Sequence, residues 1–193
     1  MSLTPSTMMK LGTLAPEFTL PDTNGQQVSL SDYLNCKASV VMFICNHCPY
    51  VIHVAQELAE FSMDYQKKGV GIVGIMSNDV EHYPDETPQK MKVEKADRGY
   101  PFAYLYDQTQ EVAKAYQAAC TPDFFVFDGD MALVYRGQLD ASRPQSDVPV
   151  TGKDLRSALD AVLDGRNPDE AQYPSMGCNI KWKPGQAPAY AMV

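Results

Sequence analysis

Apolar and polar positions along the chain follow a pattern that predicts alternating strands and helices. Two continuous apolar runs, at 38–45 and 70–76, are rich in β-branched residues and are typical of buried central strands. Between them, apolar residues recur at three- and four-residue steps over 49–68, which predicts a helix with Gly69 as its cap. We therefore expect a strand–helix–strand unit whose first strand is central in the sheet.

Shorter segments on either side extend this order. Turn formers that end in Asn24-Gly25 predict a hairpin within residues 18–30. The later apolar segments predict further helices and strands. These are a helix from about residue 87, a strand at 102–106, a helix at 110–118, antiparallel strands at 123–127 and 133–135, and a helix at 151–163 with Thr151 as N-cap.

Together these elements predict an α/β fold in a single domain spanning residues 1–193, with a central mixed β-sheet of about five to seven strands flanked by helices. Residues 1–12 form an N-terminal extension before the hairpin. Residues 166–193 show no clear periodicity and are expected to form an extended C-terminal tail packed on the domain. Reaction sites in open α/β sheets lie at the carboxyl ends of strands, so we expect the site where the strand at 38–45 ends.

Composition narrows the classes of partner. The chain has 193 residues, a formal net charge of −8 and no long basic run, which gives little electrostatic support for nucleic-acid binding. No apolar segment approaches the ~20 residues of a membrane-spanning helix, and the N-terminus lacks a signal-peptide pattern. We therefore expect a cytoplasmic protein with no nucleic-acid or membrane partner. In that reducing compartment, a CxxC pair is more often catalytic or metal-binding than structural.

The segment FICNHCPY at residues 43–50 places two cysteines at the junction of the predicted strand and helix. A thiol attacks as its thiolate, and a helix N-terminus lowers the pKa of a nearby cysteine. We predict that Cys45 points at this terminus and is the exposed nucleophile. Cys48, one turn later and more buried, is predicted to resolve the mixed disulfide. His47, between them, is expected to stabilise the thiolate when it is protonated.

The same motif has other interpretations. The two cysteines suit a buried helix start, where they would act only as small residues, and they also suit a metal site. Zinc usually takes four ligands from two CxxC-like pairs, and this chain has no second pair. A copper-type site would use Cys45, Cys48 and one of the histidines His47, His53 or His82.

Five stretches carry a family resemblance: APEFTLPDTNG at 15–25, FICNHCPYV at 43–51, CTPDFFVFD at 120–128, VYRGQLD at 134–140 and PSMGCNIKWKPG at 174–185. With these residues the chain resembles the thioredoxin-like superfamily, in the peroxiredoxin-like branch grouped with the AhpC/TSA proteins. The resemblance implies a thioredoxin-like fold. It also implies that Cys45 aligns with both the first thioredoxin cysteine and the peroxidatic cysteine, that Cys48 is the resolving cysteine, and that Pro122 is a cis-proline.

The chain also departs from the peroxiredoxin pattern. Peroxiredoxins carry a threonine three residues before the peroxidatic cysteine and a proline seven before it, where this sequence has Met42 and Ala38. The peroxiredoxin arginine that precedes the late strand has no match either. Without that hydroxyl and that cation, fast peroxide reduction lacks its electrostatic preorganisation.

Thr121 and Pro122 stand directly before an apolar strand. A cis-proline here would keep the backbone of Thr121 open for pairing with a bound peptide or partner thiol, so we assign both residues to substrate binding. The alternative is a trans proline that starts an edge strand. Cys120 should lie close to the CxxC pair, either as a third redox thiol or as a small core residue. Cys178, in the tail, has two interpretations. It undergoes thiol–disulfide exchange with Cys45 or with a partner, or it only packs against the protein.

The sequence thus predicts an enzyme, a thiol–disulfide oxidoreductase with Cys45 as nucleophile and Cys48 as resolving cysteine. No cofactor and no resident metal are expected. The expected partner is a thiol or disulfide protein or a small-molecule thiol, and the oligomeric state stays open. One alternative is a peroxiredoxin-like, thiol-dependent antioxidant peroxidase with Cys45 as peroxidatic cysteine. Another, of a different class, is a copper- or zinc-binding metallochaperone-like protein.

Overall fold

A five-stranded mixed sheet organises the fold of the computed structural model, which describes residues 3–191. Residues 1–2 and 192–193, the outer ends of the predicted extension and tail, lie outside the described residues. The strands are β1 (Leu3–Pro5), β2 (Thr19–Pro21), β3 (Gln27–Ser29), β4 (Ala38–Phe43), β5 (Val70–Met76), β6 (Ala103–Tyr106), β7 (Cys120–Thr121), β8 (Asp123–Phe127), β9 (Leu133–Gly137) and β10 (Met176–Asn179). The α-helices are α1 (Pro49–Gln66), α2 (Pro88–Arg98), α3 (Glu111–Ala115) and α4 (Lys153–Leu163).

Strand β4 lies at the centre of the main sheet, whose order is β6-β5-β4-β8-β9. It runs parallel to β5 and antiparallel to β8, and all 6 of its residues are buried. A strand that is covered on both faces has no polar side to show in its sequence, which explains the continuous apolar run. The predicted mixed sheet and the central place of this strand are confirmed.

Alternate side chains of β4 enter two different cores, because successive residues of a strand point to opposite faces. Val40 and Met42 face a core that α1 and α4 also supply. Val41 and Phe43 face a second core, which α3 and the hairpin of β2 and β3 complete. The sheet is therefore flanked on both faces, as predicted. None of the helices within residues 3–191 is long and apolar enough to cross a membrane.

The start of α4 differs from the predicted one. Gly152, at a φ of 64°, is its N-cap residue, so the prediction of Thr151 as N-cap is wrong. The Asp140 carboxylate accepts the N–H groups of Thr151 and Gly152, each at 2.7 Å. The N–H groups of Asp154 and Leu155, which a capping side chain would otherwise serve, donate to the Leu139 carbonyl at 3.1 and 3.2 Å.

The C-terminal tail contains a strand that the sequence pattern did not predict. Strand β10 pairs antiparallel with β1 on one side and with β7 on the other, forming a second, three-stranded sheet. Just beyond β10, Ile180 N–H donates to the Ala119 carbonyl at 3.0 Å, and Asp79 N–H donates to the Lys181 carbonyl at 2.8 Å. Backbone hydrogen bonds therefore hold this part of the tail against the body of the protein.

Candidate functional site

Cys45 and Cys48 lie where β4 ends and α1 begins. Ile44 N–H still bonds the Ile75 carbonyl at 3.0 Å, so strand pairing continues to the residue before Cys45. Cys48 is the N-cap residue of α1, followed by Pro49, whose missing N–H costs nothing at a first helical position. The two thiols hydrogen-bond each other, and all five cysteines are in the reduced form. The pair thus occupies the carboxyl end of the central strand.

The loop around Thr121 and Pro122 faces both sulfurs. The peptide bond between these residues is cis, as the family resemblance implies. The Thr121 hydroxyl lies 3.2 Å from Cys45 Sγ. The Thr121 carbonyl oxygen lies 3.2 Å from Cys48 Sγ and accepts a hydrogen bond from that thiol. A single residue of the loop therefore contacts both cysteines.

The electrostatic surroundings of the two thiols are the reverse of those predicted. Burial, hydrogen bonding with Cys48 and the charge of Glu86 raise the pKa of Cys45 well above its usual value. Hydrogen bonding from Cys45, together with donors on Cys178 and the Val51 N–H, lowers the pKa of Cys48 to about 5. The largest cause is the hydrogen bond from Cys45, and the position of Cys48 as N-cap residue of α1 adds the smaller contribution of the Val51 N–H.

Neither cysteine of the pair is open to solvent. Cys45 exposes 3% of its surface and Cys48 exposes 0%. The expectation of an exposed Cys45 therefore does not match this structure, although Cys45 is the less buried of the two. The local sequence pattern contains no information about what packs over this junction, and the covering element turns out to be β10 of the tail.

A buried carboxylate, Glu86, holds the loop between the two cysteines. It accepts hydrogen bonds from the N–H of Asn46 at 2.9 Å and from the N–H of His47 at 3.3 Å, and it pairs with His47 Nδ1. Glu86 is fully buried and lies in the short 3-10 turn Pro84–Glu86. This hydrogen bond raises the pKa of His47. Glu86 therefore partners the imidazolium, whereas the prediction had His47 act on a thiolate.

Aromatic side chains complete this side of the site. The Tyr104 hydroxyl donates to Asn46 Oδ1 at 3.0 Å. The ring of His47 stacks on Tyr83, with centroids 5.9 Å apart and planes 3° from parallel. Lys181 of the tail places its Nζ 5.9 Å from the centroid of the same tyrosine ring. The segment between the cysteines is thus fixed by groups from three distant parts of the chain.

The backbone edge of β7, predicted to be open for a substrate, is occupied by the protein's own tail. Strand β10 pairs with β7 in a register that sets Cys178 opposite Thr121. The approach is so close that a Cβ on Gly177 would lie 2.0 Å from the Thr121 carbonyl oxygen. Only glycine fits there, and an extended peptide would have to displace β10 to pair with this edge.

The two remaining cysteines near the site differ in their contacts. The Cys178 side chain and backbone N–H both hydrogen-bond Cys48, and burial followed by this bonding raises the pKa of Cys178 to about 12. Cys120 is fully buried, lies 3.7 Å from the Pro122 carbonyl oxygen and has a pKa that burial raises strongly. The structure therefore brings Cys178 into contact with the pair and keeps Cys120 as a core thiol beside it.

Asp123, the residue after the cis-proline, is a buried carboxyl that sequence reasoning did not assign. Its Oδ1 accepts the Phe124 N–H at 3.2 Å, whereas its Oδ2 has no hydrogen-bond partner within residues 3–191. Burial raises the pKa of Asp123 to about 8. A charged residue at the start of an apolar strand was a signal that sequence reasoning passed over. For Glu86, inside a polar loop, no comparable signal exists.

Comparisons with known proteins show what this chain is similar to. The profile described as the AhpC/TSA family matches residues 11–136. A Mycobacterium tuberculosis protein named "Putative peroxiredoxin" is 31% identical over 116 residues, which is 60% of this chain and 69% of its own. The protein named "Thiol-disulfide oxidoreductase ResA" from Geobacillus kaustophilus is 28% identical over 140 residues, 70% of this chain and 75% of its own.

Solved structures extend the likeness to the fold. An uncharacterized conserved protein from Geobacillus kaustophilus superposes with a TM-score of 0.94 at 56% identity, covering 95% of this chain and 98% of its own. The thioredoxin domain of a thiol-disulfide oxidoreductase from Bacteroides vulgatus superposes with a TM-score of 0.57 at 21% identity, covering 66% of this chain and 88% of its own. The second likeness shows the thioredoxin-like fold alone, which is the fold predicted.

Proposed function

The chain belongs to the AhpC/TSA family, and we propose that within this family it acts as a thiol–disulfide oxidoreductase through Cys45 and Cys48. The observation that carries the proposal is a pair of hydrogen-bonded thiols that faces a cis-proline loop, at the carboxyl end of the central strand. Both sulfurs are close enough to exchange a proton directly.

The two thiols share one proton near neutral pH. The helix N-terminus favours negative charge on Cys48, and burial favours a protonated Cys45. Coupled groups of this kind titrate as a pair. When a substrate disulfide approaches, the Cys45 proton passes along the hydrogen bond to Cys48, and Cys45 becomes the thiolate. The Thr121 carbonyl then accepts the new Cys48 S–H, and the Thr121 hydroxyl donates to the Cys45 thiolate.

The exchange proceeds in two balanced steps. The Cys45 thiolate attacks one sulfur of the substrate disulfide, which forms a mixed disulfide and releases the other half as a thiolate that takes up a proton. Cys48 gives its proton to that departing thiolate and then, as a thiolate itself, attacks Cys45 Sγ and releases the second half of the substrate, which takes up a proton from water. The substrate disulfide is reduced to two thiols, and the Cys45–Cys48 pair is oxidised. A dithiol donor would restore the pair by the reverse steps.

The covered edge of β7 favours small-molecule disulfides and thiols over extended peptides as substrates. With Cys178 opposite Thr121, a peptide strand has no unpaired backbone to bind there. Thr121 and Pro122 would thus border a small substrate and would not pair with its backbone.

The test is to mix reduced protein with oxidised glutathione and map the products by peptide mass spectrometry. Wild type should form the Cys45–Cys48 disulfide and release both glutathione molecules. Cys48→Ser should stop as a Cys45–glutathione mixed disulfide, and Cys45→Ser should react far more slowly. Cys36→Ser, which alters a half-buried loop thiol, is the matched control and should behave as wild type. Absence of the Cys45–Cys48 bond from wild type at the earliest quench times, and from Cys178→Ser at all times, would overturn the proposal.

Peroxide reduction is a second candidate, favoured by the Thr121 hydroxyl 3.2 Å from Cys45 Sγ. The positions at which peroxiredoxins have a threonine and a proline hold Met42 and Ala38 here, and neither side chain has a hydroxyl. Both residues are fully buried in β4. Attack of the Cys45 thiolate on hydrogen peroxide would give a sulfenic acid and water. Stopped-flow mixing with peroxide decides this candidate, and a rate no faster than that of a free thiol would remove it.

Metal binding is the candidate of a different class. The ligand atoms of Cys45, His47 and Glu86 all lie within 4.8 Å of one another, and three protein ligands with a fourth open position match a catalytic type of zinc site. Glu86 takes the place that the sequence prediction gave to Cys48. Calorimetric titration with Zn²⁺ tests this candidate: stoichiometric binding that Glu86→Gln abolishes would support it, and no binding would remove it.

A further inference from the structure

A segment of the tail carries a thiol to the redox pair in a fixed position. Strand β10 is held on both sides, by β1 and by β7, and its register sets Cys178 opposite Thr121. Thr121 is the residue whose hydroxyl and carbonyl contact the two sulfurs of the pair. Gly177 allows the close approach, because a Cβ there would lie 2.0 Å from the Thr121 carbonyl oxygen. Cys178 therefore lies where a partner cysteine paired with this edge would lie.

The contact between Cys178 and the pair is direct. Cys48 accepts hydrogen bonds from both the side chain and the backbone N–H of Cys178, and it also hydrogen-bonds Cys45. Cys48 is thus the middle member of a cluster of three buried thiols. In such a cluster, a disulfide on the middle sulfur can pass from one neighbour to the other by thiol–disulfide exchange.

We propose that Cys178 is a third redox thiol, which attacks Cys48 of the Cys45–Cys48 disulfide and releases Cys45. This inference rests on the proposed function, which supplies that disulfide. In the step, the Cys178–Cys48 bond forms and the Cys45–Cys48 bond breaks. The proton lost by Cys178 ends on the released Cys45. No oxidant or reductant is consumed, and Cys45 is ready for a further substrate while the disulfide is held by Cys48 and Cys178.

Oxidation of the pair itself makes Cys178 more reactive. In the reduced protein, burial and then the hydrogen bond and charge of Cys48 raise the pKa of Cys178, while Lys181 lowers it. When Cys48 enters a disulfide, it no longer carries that charge and no longer requires the Cys178 proton. The contributions of Cys48 are then lost and that of Lys181 is kept, so the thiolate of Cys178 becomes easier to form.

The experiment oxidises the reduced full-length protein with a stoichiometric amount of oxidised glutathione, quenches with acid, alkylates the remaining thiols and maps them by mass spectrometry. Wild type should contain the Cys48–Cys178 disulfide together with alkylated Cys45. Cys178→Ser should contain only the Cys45–Cys48 disulfide, with Cys45 alkylation lost. Cys36→Ser is the control and should match wild type.

A second variant keeps the inference testable if Cys178→Ser folds poorly. Cys45→Ser, brought to equilibrium in a glutathione redox buffer, should form the Cys48–Cys178 disulfide. A Cys48–glutathione adduct in its place would overturn the relay, as would protected Cys45 in oxidised wild type. Either result leaves the proposed function intact if wild type still forms Cys45–Cys48. If Cys178→Ser, which has no third thiol, forms no Cys45–Cys48 disulfide, the proposed function itself fails.

Discussion

Glu86 is the single residue on which the geometry of the CxxC loop depends most. Its carboxylate binds two backbone N–H groups and the imidazole of the segment between the cysteines. The same charge opposes ionisation of Cys45 and favours the imidazolium of His47. A buried carboxylate that satisfies three donors fixes a loop but also sets the acidity of its neighbours.

Replacing Glu86 by Gln should lower the pKa of His47, because the carboxylate that stabilises the imidazolium is gone. The pKa of Cys45 should fall as well, since the negative charge that raises it is removed. NMR titration of the His47 ring and ultraviolet absorbance of the thiolates measure both changes. Asp85→Asn, at an exposed neighbouring carboxylate, is the control, and an unchanged His47 titration in Glu86→Gln would contradict the role assigned to Glu86.

Asp123 makes a second residue-scale prediction, about pH. Its folded-state pKa of about 8 lies above the usual 3.8, so between these values the unfolded chain releases a proton that the folded protein keeps. The contribution of Asp123 to stability is therefore full below pH 4 and declines as pH rises towards 8, by at most ~1.4 kcal/mol per pH unit. Asp123→Asn should lack this decline.

Urea unfolding of wild type and Asp123→Asn at several pH values between 4 and 8 tests this expectation. The variant should gain stability relative to wild type as pH rises, because asparagine keeps an acceptor for the Phe124 N–H and carries no charge. Asp130→Asn, at an exposed carboxyl, provides the matched comparison. A difference between wild type and Asp123→Asn that stays constant across this range would show that Asp123 is ionised in the folded protein.

At the scale of elements, the junction of β4 with α1 and the seating of β10 together make the site. The first fixes which sulfur meets the helix N-terminus, because α1 begins only after Cys48. The seating of β10 limits which substrates can bind beside the sulfurs, because β10 pairs with the backbone edge of β7 at Thr121. Gly177 is the residue on which that seating depends.

Substituting Gly177 by Ala should unseat β10, since the new Cβ would lie 2.0 Å from the Thr121 carbonyl oxygen. We expect faster alkylation of Cys45 and a loss of about 1–3 kcal/mol of unfolding free energy, the usual range for overpacking. Timed labelling with peptide mapping measures the first effect, with half-buried Cys36 as an internal reference. Gly129→Ala, whose nearest contact would be an ordinary 3.7 Å, is the control; an unchanged rate at Cys45 in Gly177→Ala would show that β10 does not cover it.

The helices and strands themselves were largely predictable. The runs at 70–76 and 123–127 coincide with β5 and β8, because buried strands show their burial in every residue. The start of α4 at Gly152 was not, because the Leu139 carbonyl accepts the first N–H groups of the helix and the Asp140 carboxylate binds the two N–H groups before them. Strand β10 was missed for a related reason, since its 4 residues are too few to show a period.

At the scale of the whole molecule, ionisation of Cys48 makes the stability of the reduced folded protein depend on pH. The pKa of Cys48 falls from 9.0 to about 5 on folding, mainly through the hydrogen bond from Cys45. This lowered pKa stabilises the reduced folded protein above the unfolded-state pKa, and the stabilisation is lost as pH falls towards 5. A protein oxidised at the pair has no such thiolate and should lack this dependence.

We therefore expect the stability of the reduced protein, relative to the oxidised one, to rise as pH increases from 5 towards 9. Thermal unfolding of both forms across this range, with thiol content verified by mass spectrometry, measures the difference. Reduced Cys48→Ser, which has no Cys48 thiolate, should show no such rise relative to oxidised wild type. A difference in stability between the two forms that does not change with pH would show that Cys48 is not the ionised thiol of the reduced protein.

The family resemblance implied the cis-proline loop that faces the cysteines, and the sequence pattern by itself determined the strand, the CxxC and the helix in their order and the mixed sheet around them. Those features follow from local backbone geometry and from burial, which leave a period or a continuous run of apolar residues. Tertiary structure alone decided which sulfur lies at the helix N-terminus, that Glu86 holds the loop, and that Cys178 contacts Cys48. These contacts join segments far apart in the chain through single side chains and one short strand, and no local pattern encodes such pairings.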